Sequence, residues 1–581
     1  MTDIRRSILW GVFLVSLVML WDAWNKHQGH ASMFSPATAV TAAATVNGGP
    51  PAVSSVPSLP AAQGTAAPAA AAATPLAGGA RSLVSAETVE IKTDIFKATL
   101  DSQGGTLVRL ELLQQRERVE PTWYEPWLDL VTGSSRAPQA HNVVLFDHSA
   151  ERTYLARTGL AKLGGTAYPN HESLLKLAPG DRSLADGKND LVVRFESDEV
   201  AGVQLVKTYT FHRGGYVIDV RHDIVNHGSA PVSPYLYTEL VRDGNPPPGG
   251  SSFYFTFTGP AVYTEAKKFQ KVEFKAIEKR APKDDPGHIA SADDGWIAMV
   301  QHYFASAWLL EAGQARQFST AKLDNNLYAV SMMMPLEPLA AGATKSVDAR
   351  LFAGPQEENQ LAVLAPGLEL VKDYGWVTIL AKPLFRLLTW LHAVLGNWGW
   401  SIVALVVLLK MAFYWLNASA YRSMAKMKAI NPRVMEMRER FKDDPQKQQQ
   451  EMMRLYREEK VNPLGSCLPI VAQMPFFFAL YWVLLSSVEM RNAPWIGWIH
   501  DLSAFDPYYV LPVLMTGSTL FQTWLNPTPA DPIQARMMWI MPLVFSAMFF
   551  VFPAGLVLYW LTNNLLSIAQ QWFINKRLGV A

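Results

Sequence analysis

Two hydrophobic patterns divide the chain into regions of different character. Nearly unbroken apolar runs occupy residues 8–21 and recur between residues 398 and 574, whereas apolar and polar side chains alternate in short segments between residues 85 and 355. Runs of about 20 apolar residues predict membrane-spanning helices. Alternation with a period of two predicts half-buried strands. The pattern therefore predicts a membrane part and a separate soluble part.

The soluble part, residues 85–355, reads as an all-β domain. Segments such as TVEIKTDIFKATL and DLVVRFES alternate apolar and polar side chains and are separated by turn residues. Two further segments, VQLVKTYTFH and YVIDVRHDIV, are joined through Arg213, Gly214 and Gly215, which is the signal of a β-hairpin. Because no helical pattern alternates with these strands, we expect a large β-sandwich.

Five apolar segments in the C-terminal part predict membrane spans, at residues 398–417, 464–486, 508–525, 537–553 and 555–574. The N-terminal apolar stretch follows Arg5 and Arg6 and is either a signal peptide or a membrane anchor. Trp21 and Trp24, with no small-x-small cleavage site close behind, favour an uncleaved anchor within residues 1–30. The predicted fold class is a multi-pass α-helical membrane protein of six spans that carries a large all-β domain.

Basic residues predict how the spans are oriented. Residues 418–463 carry eleven Lys and Arg, whereas the opposite loop, residues 487–507, carries only Arg491. Positively charged loops stay in the cytoplasm, so both termini are predicted inside and the β-domain in the periplasm. An Ala/Pro/Gly-rich linker at residues 31–84 is predicted to tether this domain. Residues 356–397 are predicted to form a connector with an amphipathic helix that lies in the membrane interface.

The basic segment within the five-span core, residues 398–581, is itself patterned. Two helical stretches flank Asp443, Asp444 and Pro445, so residues 418–463 predict a cytoplasmic helical hairpin. Its methionines either pack the hairpin or form a docking face for targeting factors or nascent chains, and the sequence leaves both open. They are Met424, Met427, Met435, Met437, Met452 and Met453.

Composition excludes several functions. The 581 residues carry a formal net charge of +1, which gives no reason to expect sequence-specific nucleic-acid binding. The single cysteine, Cys467, leaves the β-domain without disulfides. The sequence lacks a P-loop, HExxH, CxxC and GxSxG. We therefore expect no enzyme, no catalytic residue, no metal and no cofactor.

One lysine stands out in the apolar run SIVALVVLLKMAFYW. Lys410 is the only lysine in the five C-terminal spans, which contain no Asp or Glu, and it lies about eight residues from the cytoplasmic end of its span. It either extends to the membrane surface or lines a water-filled cavity, and polar residues on the other spans favour the cavity. These are Gln473, Thr516, Ser518, Thr519, Gln522, Thr562, Asn563, Asn564, Ser567, Gln570 and Gln571.

A positive cavity without acidic relay groups disfavours an ion-coupled transporter or solute channel. It suits transient attraction of a polar or acidic peptide segment and so indicates that the protein handles polypeptides. An alternative is a translocon-associated folding factor whose periplasmic domain binds partners and in which the lysine is incidental.

The segments YRSMAKMK, EMMRLYREEK, KVNPLGSCLPIVAQMPFFFALYWVLLSSVEMRNAPWIGWIHDLSAFDPYYVLPVLM and FPAGLVLYWLTNNLLSIAQQ closely resemble the YidC family of membrane-protein insertases. The resemblance implies an insertase and chaperone of the bacterial inner membrane. Such an insertase is expected to act on nascent membrane proteins and to contact lipids, alone or beside the Sec translocon and its accessory subunits. It also implies a periplasmic β-domain similar to sugar mutarotases in fold, without their activity.

The resemblance also implies a substrate-binding groove. The positive charge of the family's groove falls at Lys410, where arginine is more familiar, and its glutamine at Gln473. Val406 stands where a threonine is familiar, and the short tail NKRLGVA leaves contacts with the ribosome or targeting factors to the hairpin. The family's apolar substrate contacts fall at Phe477, Met515, Tyr559 and Trp560.

Overall fold

A computed structural model describes residues 87–118, 140–162, 168–247, 256–281, 284–324, 326–441, 444–459, 468–526 and 532–578. The predicted N-terminal anchor and the Ala/Pro/Gly-rich linker lie outside these residues, as does Cys467. The described chain consists of a β-rich part followed by a helical part.

The β-rich part contains two sheets of nine strands each. The strands are β1 (Thr88–Lys92), β2 (Phe96–Asp101), β3 (Thr106–Arg118), β4 (Ala140–His148), β5 (Thr153–Ala161), β6 (Leu175–Leu177), β7 (Asp190–Ser197), β8 (Val203–His212), β9 (Val217–Asn226), β10 (Tyr235–Asp243), β11 (Gly259–Thr264), β12 (Lys268–Lys271), β13 (Ser291–Ala292), β14 (Trp296–Val300), β15 (Phe304–Leu309), β16 (Arg316–Asp324), β17 (Leu327–Pro335) and β18 (Thr344–Pro355). One sheet has the order β1-β2-β3-β4-β5-β10-β17-β16-β13, and the other β12-β11-β14-β15-β18-β9-β8-β7-β6.

The two sheets share one apolar core, which confirms the predicted sandwich. In β7, exposed and buried positions alternate, and Leu191, Val193 and Phe195 point into the core that Leu240 and Val330 of the other sheet also line. This is the arrangement that period-two alternation produces when one face of a strand is buried.

The predicted hairpin between β8 and β9 is confirmed. The two strands pair antiparallel, with Phe211 opposite Ile218. Gly214 in the connecting turn has a φ of +68°, a conformation that glycine adopts without strain.

The helical part follows the sandwich. Short helices α1 (Phe274–Lys279) and α2 (Glu358–Leu364) belong to the β-rich part. The remaining helices are α3 (Thr378–Leu395), α4 (Trp398–Ala412), α5 (Tyr414–Arg440), α6 (Pro445–Glu458), α7 (Leu468–Ser486), α8 (Val510–Leu525), α9 (Pro532–Phe549) and α10 (Ala554–Leu578).

Length and hydropathy distinguish these helices. Within the described ranges, α3 is the single helix long and apolar enough to cross a membrane by itself, and α4 with the start of α5 passes the same test as a pair bent by 68°. Ala472–Ser486 and Ala535–Phe549 are shorter apolar helices. The placement of α3 in the membrane interface stays a prediction.

The helices pack around a second apolar core. Helix α10 packs against α4 and α8, and α3 packs against α4 and α7. Gly399 lies against the ring of Trp495, where a Cβ atom would come within 2.2 Å of the ring. This close approach explains why glycine occupies the first turn of α4.

The sandwich contacts the helical part at the end of α7 and in the loop that follows it. The Nε2–H of His302 donates to the carbonyl of Leu485 at 2.9 Å, and burial lowers the pKa of His302 to about 4. Nδ1 of this neutral ring is therefore free to accept the hydrogen bond it shares with the Thr256 hydroxyl, at 2.9 Å. This end of the helical part faces the β-domain.

An ion pair reinforces this contact. The ammonium of Lys372 lies 3.0 Å from a carboxylate oxygen of Glu489 and 3.7 Å from the ring centre of Phe385. Burial lowers the pKa of Lys372, and the carboxylate of Glu489 opposes that shift. The guanidinium of Arg491 lies 5.1 Å from the ring centre of Tyr303 on the sandwich. The two parts are thus joined by directional polar contacts.

Candidate substrate groove

Helix α4 positions Lys410 and ends just beyond it. The side chain of Asn397 caps its first turn by accepting from the backbone N–H of Trp400. The helix ends at Ala412, and the chain turns by 68° into α5 at Phe413, whose ring packs edge-on against Phe476 at 5.0 Å. The partial negative charge of a helix C-terminus favours a cation there.

This geometry corrects the predicted position of the lysine. The sequence placed Lys410 about eight residues before the end of a span drawn to residue 417, whereas the structure places it in the last turn of α4. Hydropathy missed the corner because the apolar run continues past Phe413 into Tyr414, Trp415 and Leu416. Lys410 is therefore at the end of a helix and not at the centre of one.

A cavity of about 330 Å³ adjoins this corner, between α4, α5, α7, α8 and α10. It contains the Lys410 side chain and, among its described lining residues, no carboxylate. The lining consists of Val406, Leu409, Lys410, Phe413, Asn417, Ala420, Tyr421, Met424, Gln473, Met474, Phe476, Phe477, Gln522, Asn526, Tyr559, Asn563 and Ser567. This cavity is referred to below as the groove.

Neutral polar groups contact the lysine in the groove. The Lys410 ammonium donates to the hydroxyl of Ser567 at 2.7 Å. That hydroxyl donates to the backbone carbonyl of Asn563 at 2.7 Å. An ammonium has three donors, so the contact with Ser567 leaves capacity for water or a ligand.

Gln473 lies on the opposite side of the groove, on α7. Its amide Nε2 donates to Oδ1 of Asn417 at 2.5 Å, which links α7 to the first turn of α5. Nδ2 of Asn417 is buried and has no hydrogen-bond partner in the described part of the chain. The predicted groove glutamine is thus held by an asparagine that the sequence analysis assigned to the end of a span.

An aromatic cluster forms the other end of the groove. The ring of Phe477 stacks on Trp560 with centroids 5.4 Å apart and lies 6.0 Å from Tyr559. Trp560 also packs against Phe549 at 4.7 Å, behind Phe477.

Four of the six predicted site residues therefore meet at one cavity. Lys410, Gln473, Phe477 and Tyr559 line it. Trp560 does not appear in that lining, and Met515 is buried in the helical core. Direct contact of any of the six residues with a substrate stays a prediction.

The other predicted polar residues divide into two groups. Gln473, Gln522, Asn563 and Ser567 line the groove. Others bond helix to helix, as Nδ2 of Asn564 does in donating to Ser518 at 2.8 Å. Thr516, Ser518 and Thr519 donate to backbone carbonyls of their own helix.

Sequence reasoning missed Asn417 and Tyr421 as groove residues. Both follow the 68° turn at the start of α5, in a segment divided between a span and the hairpin. The polar side chain of Asn417, close to an apolar run, was the available signal.

No metal site is found in the described ranges. These ranges hold no group of three or more His, Cys, Asp or Glu side chains placed to bind an ion.

The fold and the groove define a class of protein: a helical membrane protein with a β-sandwich domain and a positively charged polar cavity among its helices. Two family models match the chain, "60Kd inner membrane protein" over residues 390–580 and "YidC periplasmic domain" over residues 88–387. The β-sandwich therefore lies in the periplasm and the helical region in the inner membrane.

Curated relatives support the same assignment. The membrane protein insertase YidC of Cupriavidus necator is 54% identical over 583 residues, covering 99% of this chain and 98% of its own. The protein of that name from Burkholderia multivorans is 51% identical over 580 residues, covering 99% of both chains. This chain belongs to the YidC family of membrane protein insertases. The relatives are named for insertion and not for a chemical reaction, in agreement with the expectation of no enzyme.

Solved structures show weaker similarity. The crystal structure of an active YidC insertase with its first transmembrane domain resolved covers 83% of this chain and 91% of that chain, at a TM-score of 0.37 and 18% identity. A galactose mutarotase-like protein from Lactobacillus casei covers 46% of this chain and 100% of that chain, at a TM-score of 0.27 and 14% identity.

Proposed function

We propose that the groove is the route along which a segment of a nascent membrane protein leaves the cytoplasm for the lipid. Lys410 lies at its polar end and attracts an acidic or polar flank of the substrate. Phe477 and Tyr559 lie at its aromatic end and contact the apolar segment. The observation that carries this proposal is a cavity that holds a cation, neutral hydrogen-bonding groups and aromatic rings together.

The proposal includes six spans with both termini in the cytoplasm and a groove that opens to the cytoplasm. Two features support this orientation of the groove. The β-domain contacts the helical part at the loop after α7, where Arg491 lies over Tyr303. Tyr421, on the helix that leaves the core for the basic hairpin, lines the groove. The groove therefore lies toward the hairpin and away from the β-domain.

Partition of the substrate supplies the energy in this mechanism. Burial of each CH₂ group stabilises the inserted state by about 0.8 kcal/mol, and the substrate's apolar segment provides many such groups. A hydrated groove shortens the dry path for the polar flank, which lowers the barrier to its transfer. No cofactor is needed, because the free energy comes from transfer of apolar surface out of water.

The helical hairpin is the proposed contact for the ribosome or targeting factors. Ile430 and Val434 of α5 form its buried seam, against which Met427 and Met452 pack. Met435 and Met453 are exposed, together with several arginines of α5 and α6. The methionines thus divide between hairpin packing and an accessible surface of flexible apolar side chains. The Sec translocon and its accessory subunits are further proposed partners.

Site-specific photocrosslinking tests the route. A photoreactive amino acid replaces Gln473, Phe477 or Trp560 in separate variants, and a single-span nascent protein is inserted in their presence. We expect adducts at positions 473 and 477 and fewer at 560, because Trp560 lies behind Phe477. Leu543, exposed on α9, is the control position. Adducts at positions 473 and 477 that are no more frequent than at position 543 would refute the groove route and favour the folding-factor alternative.

A further inference from the structure

One face of α10 connects the two ends of the groove. Tyr559, Asn563 and Ser567 follow one another at intervals of four residues, and all three line the cavity. Residues at this interval lie above one another on a helix. Eight residues separate Tyr559 from Ser567, so the aromatic contact and the lysine contact lie about 12 Å apart at ~1.5 Å of rise per residue.

Ser567 both donates and accepts a hydrogen bond through its hydroxyl. A serine hydroxyl offers one donor and two acceptor lone pairs. The donor is used on the carbonyl of Asn563, four residues earlier on α10. Its acceptor lone pairs remain, and the Lys410 ammonium on α4 donates to one of them at 2.7 Å.

These bonds fix where the positive charge lies. A lysine side chain has a flexible four-carbon stem, and an ammonium in a membrane protein extends toward water unless a partner holds it. Lys410 already lies in the last turn of α4, close to the groove's cytoplasmic side in the proposed topology. Ser567 is the partner seen in the described structure that holds its ammonium against α10.

We propose that Ser567 is a positioning residue that sets the distance between the groove's charge and its aromatic contact. The groove then favours substrates in which an acidic residue lies at a matching distance from the apolar segment. An extended chain advances about 3.3–3.6 Å per residue, so ~12 Å corresponds to a separation of about three to four residues. This inference rests on the proposed function, because it assumes that substrates occupy the groove.

The test uses a set of single-span substrates, each with one aspartate placed from one to ten residues before the apolar segment. Insertion rates are measured with the full-length protein in proteoliposomes of fixed lipid composition. We expect a maximum at the matching separation, about fivefold above the flanking positions, the range that a hydrated ion pair supplies.

The variants separate positioning from folding. Ser567→Ala removes the hydroxyl that holds the Lys410 ammonium and is expected to flatten the spacing profile, with each rate expressed relative to that of a neutral substrate in the same variant. Ser567→Thr keeps the hydroxyl and is expected to restore the maximum. Ser546→Ala is the matched control, because Ser546 is equally buried and donates to the carbonyl of Pro542 in the same way, on α9 outside the groove lining.

The outcomes distinguish this inference from the groove route itself. A flat wild-type profile, with crosslinks at positions 473 and 477 intact, overturns the spacing rule and leaves the route standing. A maximum that persists in Ser567→Ala shows that another group positions the charge. Loss of the crosslinks in the wild-type protein overturns the route, and the inference fails with it.

Discussion

Two buried lysines show how the β-domain and the membrane part use a charge differently. Lys207 on β8 is fully buried, and its ammonium donates to the carbonyls of Gly104 at 2.6 Å and Thr158 at 2.7 Å. Lys410 donates to a single hydroxyl in the described structure and lies beside a cavity of about 330 Å³. The first lysine joins strands, and the second has space and donors for a visiting group.

Another buried cation of the sandwich shows the same difference. In the sandwich, the buried guanidinium of Arg157 has a direct counter-charge in Glu239, at 2.5 Å. In the groove, the polar side chains that the described lining presents to Lys410 carry hydroxyl and amide groups only. A buried charge that is fully paired is a structural feature, whereas one left with neutral partners at a cavity identifies a binding site.

The largest expected effect comes from breaking the pair in the sandwich. Glu239→Gln removes the counter-charge and leaves Arg157 charged and buried, which is expected to lower the free energy of unfolding of the β-domain by about 3–5 kcal/mol. Denaturant unfolding of the full-length protein in detergent, followed by the loss of the β-sheet circular dichroism signal, measures it. The control is Glu196→Gln, which disrupts an exposed pair with Arg194 and is expected to change stability by less than ~1 kcal/mol. Equal effects of the two variants would contradict the distinction between buried and exposed pairs.

A smaller effect is expected at the contact between the two parts. Lys372→Met leaves Glu489 without its partner, and because that carboxylate is partly exposed, the loss is expected to be about 2 kcal/mol. Faster protease cleavage of the connector before α3 is the readout. The double variant Lys372→Met with Glu489→Leu removes both charges and is expected to regain part of the protection. If the increase in cleavage rate of the double variant equals the sum of the increases in the two single variants, the residues do not act as a pair.

The stability of the sandwich is expected to depend on pH through Lys207. Burial lowers the pKa of Lys207 from 10.5 to about 7 in the folded protein, so the unfolded chain binds more protons between these values. Stability therefore rises as the pH increases from 7 toward 10.5 and falls as it decreases toward 7, by about 1 kcal/mol between pH 7 and 8. Thermal unfolding scans across this range are expected to show the rise in the wild-type protein. If stability changes with pH in the same way in the wild-type protein and in Lys207→Met, Lys207 is not the cause of the pH dependence.

Much of the fold could be predicted from periodicity. Alternation in DLVVRFES places its apolar residues on the buried face of β7, and the Gly214 turn connects β8 to β9 as expected. The order of the strands in the two sheets could not be predicted, because β5 pairs with β10 and β9 with β18 across long separations in the sequence. Local patterns contain no information about such partners.

The groove shows where sequence reasoning is limited. An unpaired lysine among apolar residues indicated a cavity, and the resemblance to a known family indicated Gln473, Phe477 and Tyr559, all of which line it. The corner at Phe413 was missed because hydropathy does not respond to a change of direction within an apolar run. Asn417 and Ser567 acquire their roles only from contacts between helices.

The smallest effect on stability, under ~1 kcal/mol, is expected for Lys410→Met, because the lysine makes one hydrogen bond to a neutral hydroxyl beside a cavity. Its effect on insertion is expected to be selective. Substrates with acidic translocated flanks should insert more slowly, while substrates with neutral flanks should keep their rate, since only the former interact with the charge. Lys410→Arg keeps the charge and is expected to retain the preference for acidic flanks. If Lys410→Met slows both classes of substrate equally, the lysine maintains the groove and does not attract acidic segments. Lys410 therefore differs from Lys207 in two expected properties: its charge contributes little to stability, and it affects insertion of some substrates selectively.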